Sequence, residues 1–166
     1  MNPVWLCYSV LVLGVNSADK YNGWKVVESL RGNKPVLVVG APKVPPPIGH
    51  PPGDVTIDID PRAVQNCPGG EVADIRDIPY QDKHFSVAFV SHVIEHLPSV
   101  QDAETAMSEL RRVADHVVII SPHSYDIVNQ IHPGHHLIVE PAGVCYDSII
   151  HVRPRRSNEA HSKVAV

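Results

Sequence analysis

Apolar positions in the 166-residue chain come in short blocks rather than in one long stretch. Residues 35–39, Pro-Val-Leu-Val-Val, form a β-branched run closed by Gly40, the pattern of a strand buried on both faces. Similar runs follow at 54–59, 71–73 (the weakest), 85–90 and 117–120. Between the last two, Ala103, Ala106, Met107, Leu110 and Val113 recur at helical spacing, which predicts an amphipathic crossover helix over 102–114. A second, short helix is predicted over 19–30 from Tyr21, Trp24, Val27 and Leu30, ended by Arg31-Gly32-Asn33. Strands interleaved with helices predict an α/β fold around a mostly parallel sheet. After a turn through 125–131, the runs 136–140 and 146–152, joined by Pro141-Ala-Gly-Val, predict a C-terminal β-hairpin.

The ends carry different expectations. Residues 1–18 are read as a separate apolar segment, too short to span a bilayer and without a basic start. It is expected to be buried or covered by a partner subunit or second copy, with a membrane anchor or targeting remnant as the second reading. The domain proper is assigned to 19–152, and 153–166 to a polar, loosely held tail with a small basic cluster at Arg153, Arg155 and Arg156. One connection breaks the Rossmann-like pattern: where a helix should follow the first strand, 42–53 reads Pro-Lys-Val-Pro-Pro-Pro-Ile-Gly-His-Pro-Pro-Gly. Prolines lack the N–H that a helix needs, so a polyproline-like loop is expected there.

Composition narrows the function. Fourteen Lys+Arg against 18 Asp+Glu leave a net charge of -4, so nothing draws the chain broadly to a phosphate backbone and no nucleic-acid partner is expected. Cys7, Cys67 and Cys145 are widely spaced and make no C-x-x-C pair, which points to a reducing, cytoplasmic setting.

The chemistry gathers at strand ends. Asp58, in Asp58-Ile59-Asp60-Pro61, closes the second strand, where a carboxylate is placed to accept both ribose hydroxyls of a nucleoside. Further on, Asp74, Asp77, Ile78, Pro79, Tyr80, Asp82 and Phe85 stand in the order D-x-x-x-[IL]-P-[FY]-x-D-x-x-F, and Ser91 to Leu97 reads S-x-V-[IL]-E-H-L. This stretch resembles the middle motifs of class I S-adenosylmethionine-dependent methyltransferases of the type 11 kind. The resemblance extends over roughly 36–122. It implies the class I methyltransferase topology and S-adenosylmethionine as cofactor, with Asp58 and Ile59 at the ribose and Asp74 and Ile75 around adenine. Gly40, Ala41 and Ser91 would line the rest of the cofactor site. The family's first motif, an acid and three alternate glycines, falls on Val38, Gly40, Pro42 and Val44, and Ser86 stands where the family has Asp.

Because the cofactor brings its own reactive sulfonium, the protein's task is mainly alignment. His96 is the candidate base, with His92 and Glu95 beside it. The expected acceptor is a small or lipid-like molecule, and a homo-oligomer or partner subunit is expected to complete the site. Two alternatives stand beside the enzyme. One is a non-catalytic, partner-binding module that has lost the cofactor loop. The other is a metal-binding variant joining His92 or His96 to His132, His135 or His136. His92-Val-Ile-Glu95-His96 also spells the H-x-x-E-H zinc motif of a peptidase group, which needs one helix where a strand end is predicted.

Overall fold

The structure is a computed structural model that describes residues 3–43, 46, 48–123, 126, 132–155 and 162–165, with side chains described from Gly14 and not in 162–165. A helix α1 (Pro3–Leu30) leads into β1 (Val36–Val39), β2 (Val55–Asp58), α2 (Pro61–Val64), β3 (Gly70–Val72) and β4 (Phe85–Ser91). A 3-10 turn (Ile94–His96), α3 (Val100–Val113) and β5 (Ala114–Ser121) follow. The chain closes with β6 (Leu137–Glu140), β7 (Gly143–Tyr146), β8 (Ile149–Pro154) and β9 (Ser162–Ala165).

Six strands form the main sheet in the order β3-β2-β1-β4-β5-β7, in which β1 to β5 are parallel and β7 runs antiparallel to β5. The expected α/β, Rossmann-like architecture is therefore present. Alternation along the buried strands sorts side chains to two faces. Val36, Val38, Val87, Phe89, Val118 and Ile120 pack under Val27 and Trp24 of α1, while Leu37, Val39, Val90, Val117 and Ile119 face Met107 and Leu110 of α3. Ser99 caps α3 by accepting the Asp102 N–H at 3.1 Å. The strand order reverses between β2 and β4 around β1, which opens a crevice at their carboxyl ends.

Local expectations change at both ends of the chain. From Pro3 onward, the segment read as separate and the short helix at 19–30 are one continuous helix of 28 residues, Pro3–Leu30. Among the described residues no helix is long and apolar enough to cross a membrane. Within α1, Tyr21 is exposed although Trp24 and Val27 are packed, because a three-residue repeat drifts around a helix of 3.6 residues per turn. At the other end, β6 and β8 pair antiparallel as expected, but their connection contains β7, which leaves to edge the main sheet. The tail also contributes β9, paired with β8. Val44, Arg156 and all of 125–131 except Asp126 lie outside the described residues.

Candidate functional site

Gly40 ends β1 in the left-handed region (φ +88°), and a Cβ there would lie 2.7 Å from Val93 Cγ2. Glycine is thus required at this one surviving position of the glycine motif. The next residue is tied to the neighbouring strand: the Ala41 N–H donates to Asp58 Oδ2 at 3.0 Å, and the Asp60 N–H donates to Asp58 Oδ1 at 2.9 Å. Asp58 is not a helix cap. Asp60 has that role, accepting the Arg62 N–H at 2.9 Å to start α2. Two amides hold the Asp58 carboxylate in one orientation, and a carboxylate has about four acceptor sites, so capacity remains for a ligand.

After β3 the chain turns on Asp74, which accepts the Arg76 N–H at 2.9 Å and the Arg76 guanidinium at 2.6–3.2 Å. Arg76 also reaches Asp102 on α3 at 2.7 Å. The guanidinium holds the Asp74 carboxyl below the usual carboxylate range. Asp74 is therefore both a turn residue and a charged wall of the crevice. Asp77, Asp82 and their neighbours serve the loop instead. Arg112 of α3 donates to the carbonyls of Ile78 (2.9 Å) and Tyr80 (2.6 Å) and pairs with Asp82 (3.1 Å) and Glu109 (2.8 Å), while Glu109 accepts the Ile78 N–H at 3.0 Å. Ser86 sits away from the crevice and donates to the Lys34 and Pro35 carbonyls.

On the far side of the crevice, β4 ends at Ser91 and the backbone turns through His92 (φ +55°). No single helix carries His92, Glu95 and His96, since a strand end and a 3-10 turn separate them, so the H-x-x-E-H peptidase arrangement is absent. Glu95 is buried, with Oε1 3.3 Å from His92 Nδ1 but no hydrogen-bond partner for either oxygen among the described residues. Glu95 is not among the described residues that line the crevice, whereas His92 and His96 are. His96 Nδ1 donates to the Gly134 carbonyl, 2.9 Å away, and in the neutral ring that tautomer leaves the lone pair on Nε2.

A cleft of about 540 Å³ joins these parts. Its walls include Gly40, Ala41, Asp58, Ile59, Asp74, Ile75, Ser91, His92 and His96. The size lies within the roughly 300–1,000 Å³ of small-molecule sites. Ser91 Oγ and His92 Nε2 are buried without a hydrogen-bond partner among the described residues, so this wall is suited to a polar ligand. The pairing of a fixed carboxylate, an apolar Ile59–Ile75 rim and orphaned donors fits the ribose, base and polar end of an adenosine-type cofactor.

Three of the cleft residues that sequence reasoning missed bear on its charge. Lys20 enters from α1, its pKa lowered by burial and partly restored by the Glu95 charge. His50 comes from the proline loop and packs edge-on against Phe89 at 4.9 Å, and burial pushes its pKa down. Arg76 is the third. Only Arg76 had a signal, its place inside the matched motif.

Comparison with known proteins bears on the fold and on one segment of the sequence. Residues 54–119 match the sequence model of the methyltransferase-domain family, type 11. A SAM-dependent methyltransferase structure from Archaeoglobus fulgidus superposes with a TM-score of 0.58 at 20% identity, covering 82% of this chain and 68% of that one. Others from Methanosarcina mazei (TM-score 0.46, 15% identity, 58% and 56% covered) and Thermotoga maritima (0.45, 13%, 66% and 53%) are also similar. The chain spans about half the length of these last two structures. No curated protein sequence matches it. Over residues 54–119 the chain is thus similar to the methyltransferase-domain family, and it shares its fold with the Archaeoglobus fulgidus structure.

Proposed function

We propose that the chain is an S-adenosylmethionine-dependent methyltransferase acting on a small-molecule or lipid-like acceptor. The observation that carries this reading is the convergence of Gly40, Asp58 and Asp74, from the ends of three adjacent strands, on one cleft. Asp58, already oriented by two amides, accepts the ribose hydroxyls. Asp74 and Ile75 flank the adenine, and the left-handed Gly40 lets the backbone approach the methionine portion. When bound, the cofactor supplies an electrophilic methyl on a sulfonium, so the chain's work is to hold an acceptor in line and to keep water out. His92 and His96 face the cleft where the acceptor would stand, with the Nε2 lone pair of His96 available to take or share its proton.

Isothermal titration with S-adenosylmethionine and S-adenosylhomocysteine tests the reading. Saturable heat from both, lost in Asp58→Ala, is expected. Heat indistinguishable from buffer in the wild type overturns the cofactor assignment and leaves a non-catalytic module of this fold.

A further inference from the structure

His96, His132 and His135 bring one ring nitrogen each to within 4.8 Å of one another at the edge of the cleft. We propose that these three histidines form a binding site for one divalent transition-metal ion of the zinc type. The site goes beyond the methyltransferase reading and does not depend on it.

Four features of the chain build the cluster. His132 and His135 are the first and last residues of a Pro133-Gly134 turn, closed by the His135 N–H donating to the His132 carbonyl at 3.2 Å. Gly134, at the centre of that turn, addresses two rings: its carbonyl accepts from His96 Nδ1 at 2.9 Å and its N–H donates to His132 Nδ1 at 3.2 Å. The first contact is the backbone-carbonyl partner that metal-bound histidines commonly have on their non-ligating nitrogen, so His96 would ligate through Nε2. At His132, an ion taking Nδ1 would exchange a long hydrogen bond for a coordinate one. Arg155 fixes the turn from outside, its Nη1 donating to the carbonyls of His132 (2.5 Å) and His135 (3.0 Å). The His136 N–H donates to the Glu95 carbonyl at 2.8 Å, which docks the turn against the segment that carries His96.

Neutral imidazoles suit zinc, copper, nickel and cobalt better than the harder magnesium or calcium. Three protein ligands leave a fourth tetrahedral position open, as in catalytic rather than structural zinc sites. Since His96 borders the cleft, that position is accessible to an acceptor's thiol or hydroxyl, which coordination would make more acidic. An occupied site turns His96 from a proton acceptor into a ligand.

The test uses tag-free full chain, dialysed against zinc chloride and analysed for bound metal, with cobalt(II) titrated separately and its visible absorption recorded. One ion per chain, with the intense bands of tetrahedral cobalt(II), is expected. His132→Ala and His135→Gln should each weaken binding by at least ~100-fold, while His116→Ala, outside the cluster, should leave it unchanged. All variants are checked by circular dichroism; if His132→Ala is misfolded, His135→Gln carries the comparison. Absence of bound metal in the wild type, or equal binding in the wild type and a folded cluster variant, overturns the proposal. Calorimetry with S-adenosylhomocysteine in metal-free buffer separates the two readings: cofactor without metal sinks only the metal site, and metal without cofactor sinks only the methyltransferase.

Discussion

The two walls of the cleft are held in different ways. The segment from Asp74 to Leu97 is laced to α3: Arg76 spans Asp74 and Asp102, and Arg112 with Glu109 satisfies the backbone of Ile78 and Tyr80. The loop from Gly40 to Gly53 has far fewer such contacts among its described residues. Its ties are Gly40 N–H to the Ile57 carbonyl (2.9 Å), Ala41 N–H to Asp58, Gly53 N–H to Thr56 Oγ1 (3.1 Å) and the His50 ring on Phe89. Prolines give such a loop stiffness by restricting φ while removing N–H donors that a helix would need. A Rossmann-like site can therefore keep its shape with a glycine-rich turn reduced to one glycine, provided the acidic strand end still grips the loop.

Breaking the contact that joins the two walls should have the largest effect. Phe89 is fully buried between Trp24 and His50, and Phe89→Ala is expected to cost about 3–5 kcal/mol, read from chemical unfolding. A loss below about 1 kcal/mol would mean that the loop and α1 close over the vacancy. Next comes the loop's polar tie. Asp58→Ala should weaken S-adenosylhomocysteine binding by about a hundredfold, the loss of two charge-assisted hydrogen bonds. An unchanged Kd would assign Asp58 to loop structure alone.

On the laced wall, Arg112→Ala should lower stability by about 1–2 kcal/mol, discounted for the partial exposure of the side chain, because it leaves Glu109 and two carbonyls less satisfied. Cofactor affinity should change less than in Asp58→Ala, since Arg112 lies behind the loop; the reverse ranking would make the brace part of the ligand site. The smallest effect concerns pH. Burial holds His50 below its ordinary value of 6.5, so the unfolded chain binds a proton that the folded chain refuses. Its contribution is complete above about pH 6.5 and is lost as the pH falls toward the folded value. Melting temperatures of wild type and His50→Gln should thus converge in acid, and a pH-independent gap would remove His50 as the cause.

Much of this molecule is readable from local pattern. β1, β2, β4, β5 and α3 follow from β-branched runs and one helical stripe, because burial demands continuous apolar sequence. Asp58, Asp74 and Gly40 could be named for a related reason: in a parallel sheet, residues that end successive strands share an edge whatever fills the connections. Elsewhere local pattern was silent. β7 is a four-residue run whose neighbours suggested a hairpin turn, and only the free edge of β5 decided where it pairs. Lys20 and His50 reach the cleft through the packing of α1 and the path of a proline loop, neither of which has a periodicity to read. Glu95 shares its motif with His92 and His96, yet the turn after β4 sends it inward. The His96, His132 and His135 cluster likewise needs the docking of β6 and the Arg155 clasp to close a separation of some 36 residues. Local chemistry thus determined which elements form and which of their ends carry charge, whereas long-range packing alone decided which side chains meet, because that proximity depends on contacts between segments that sequence spacing does not encode.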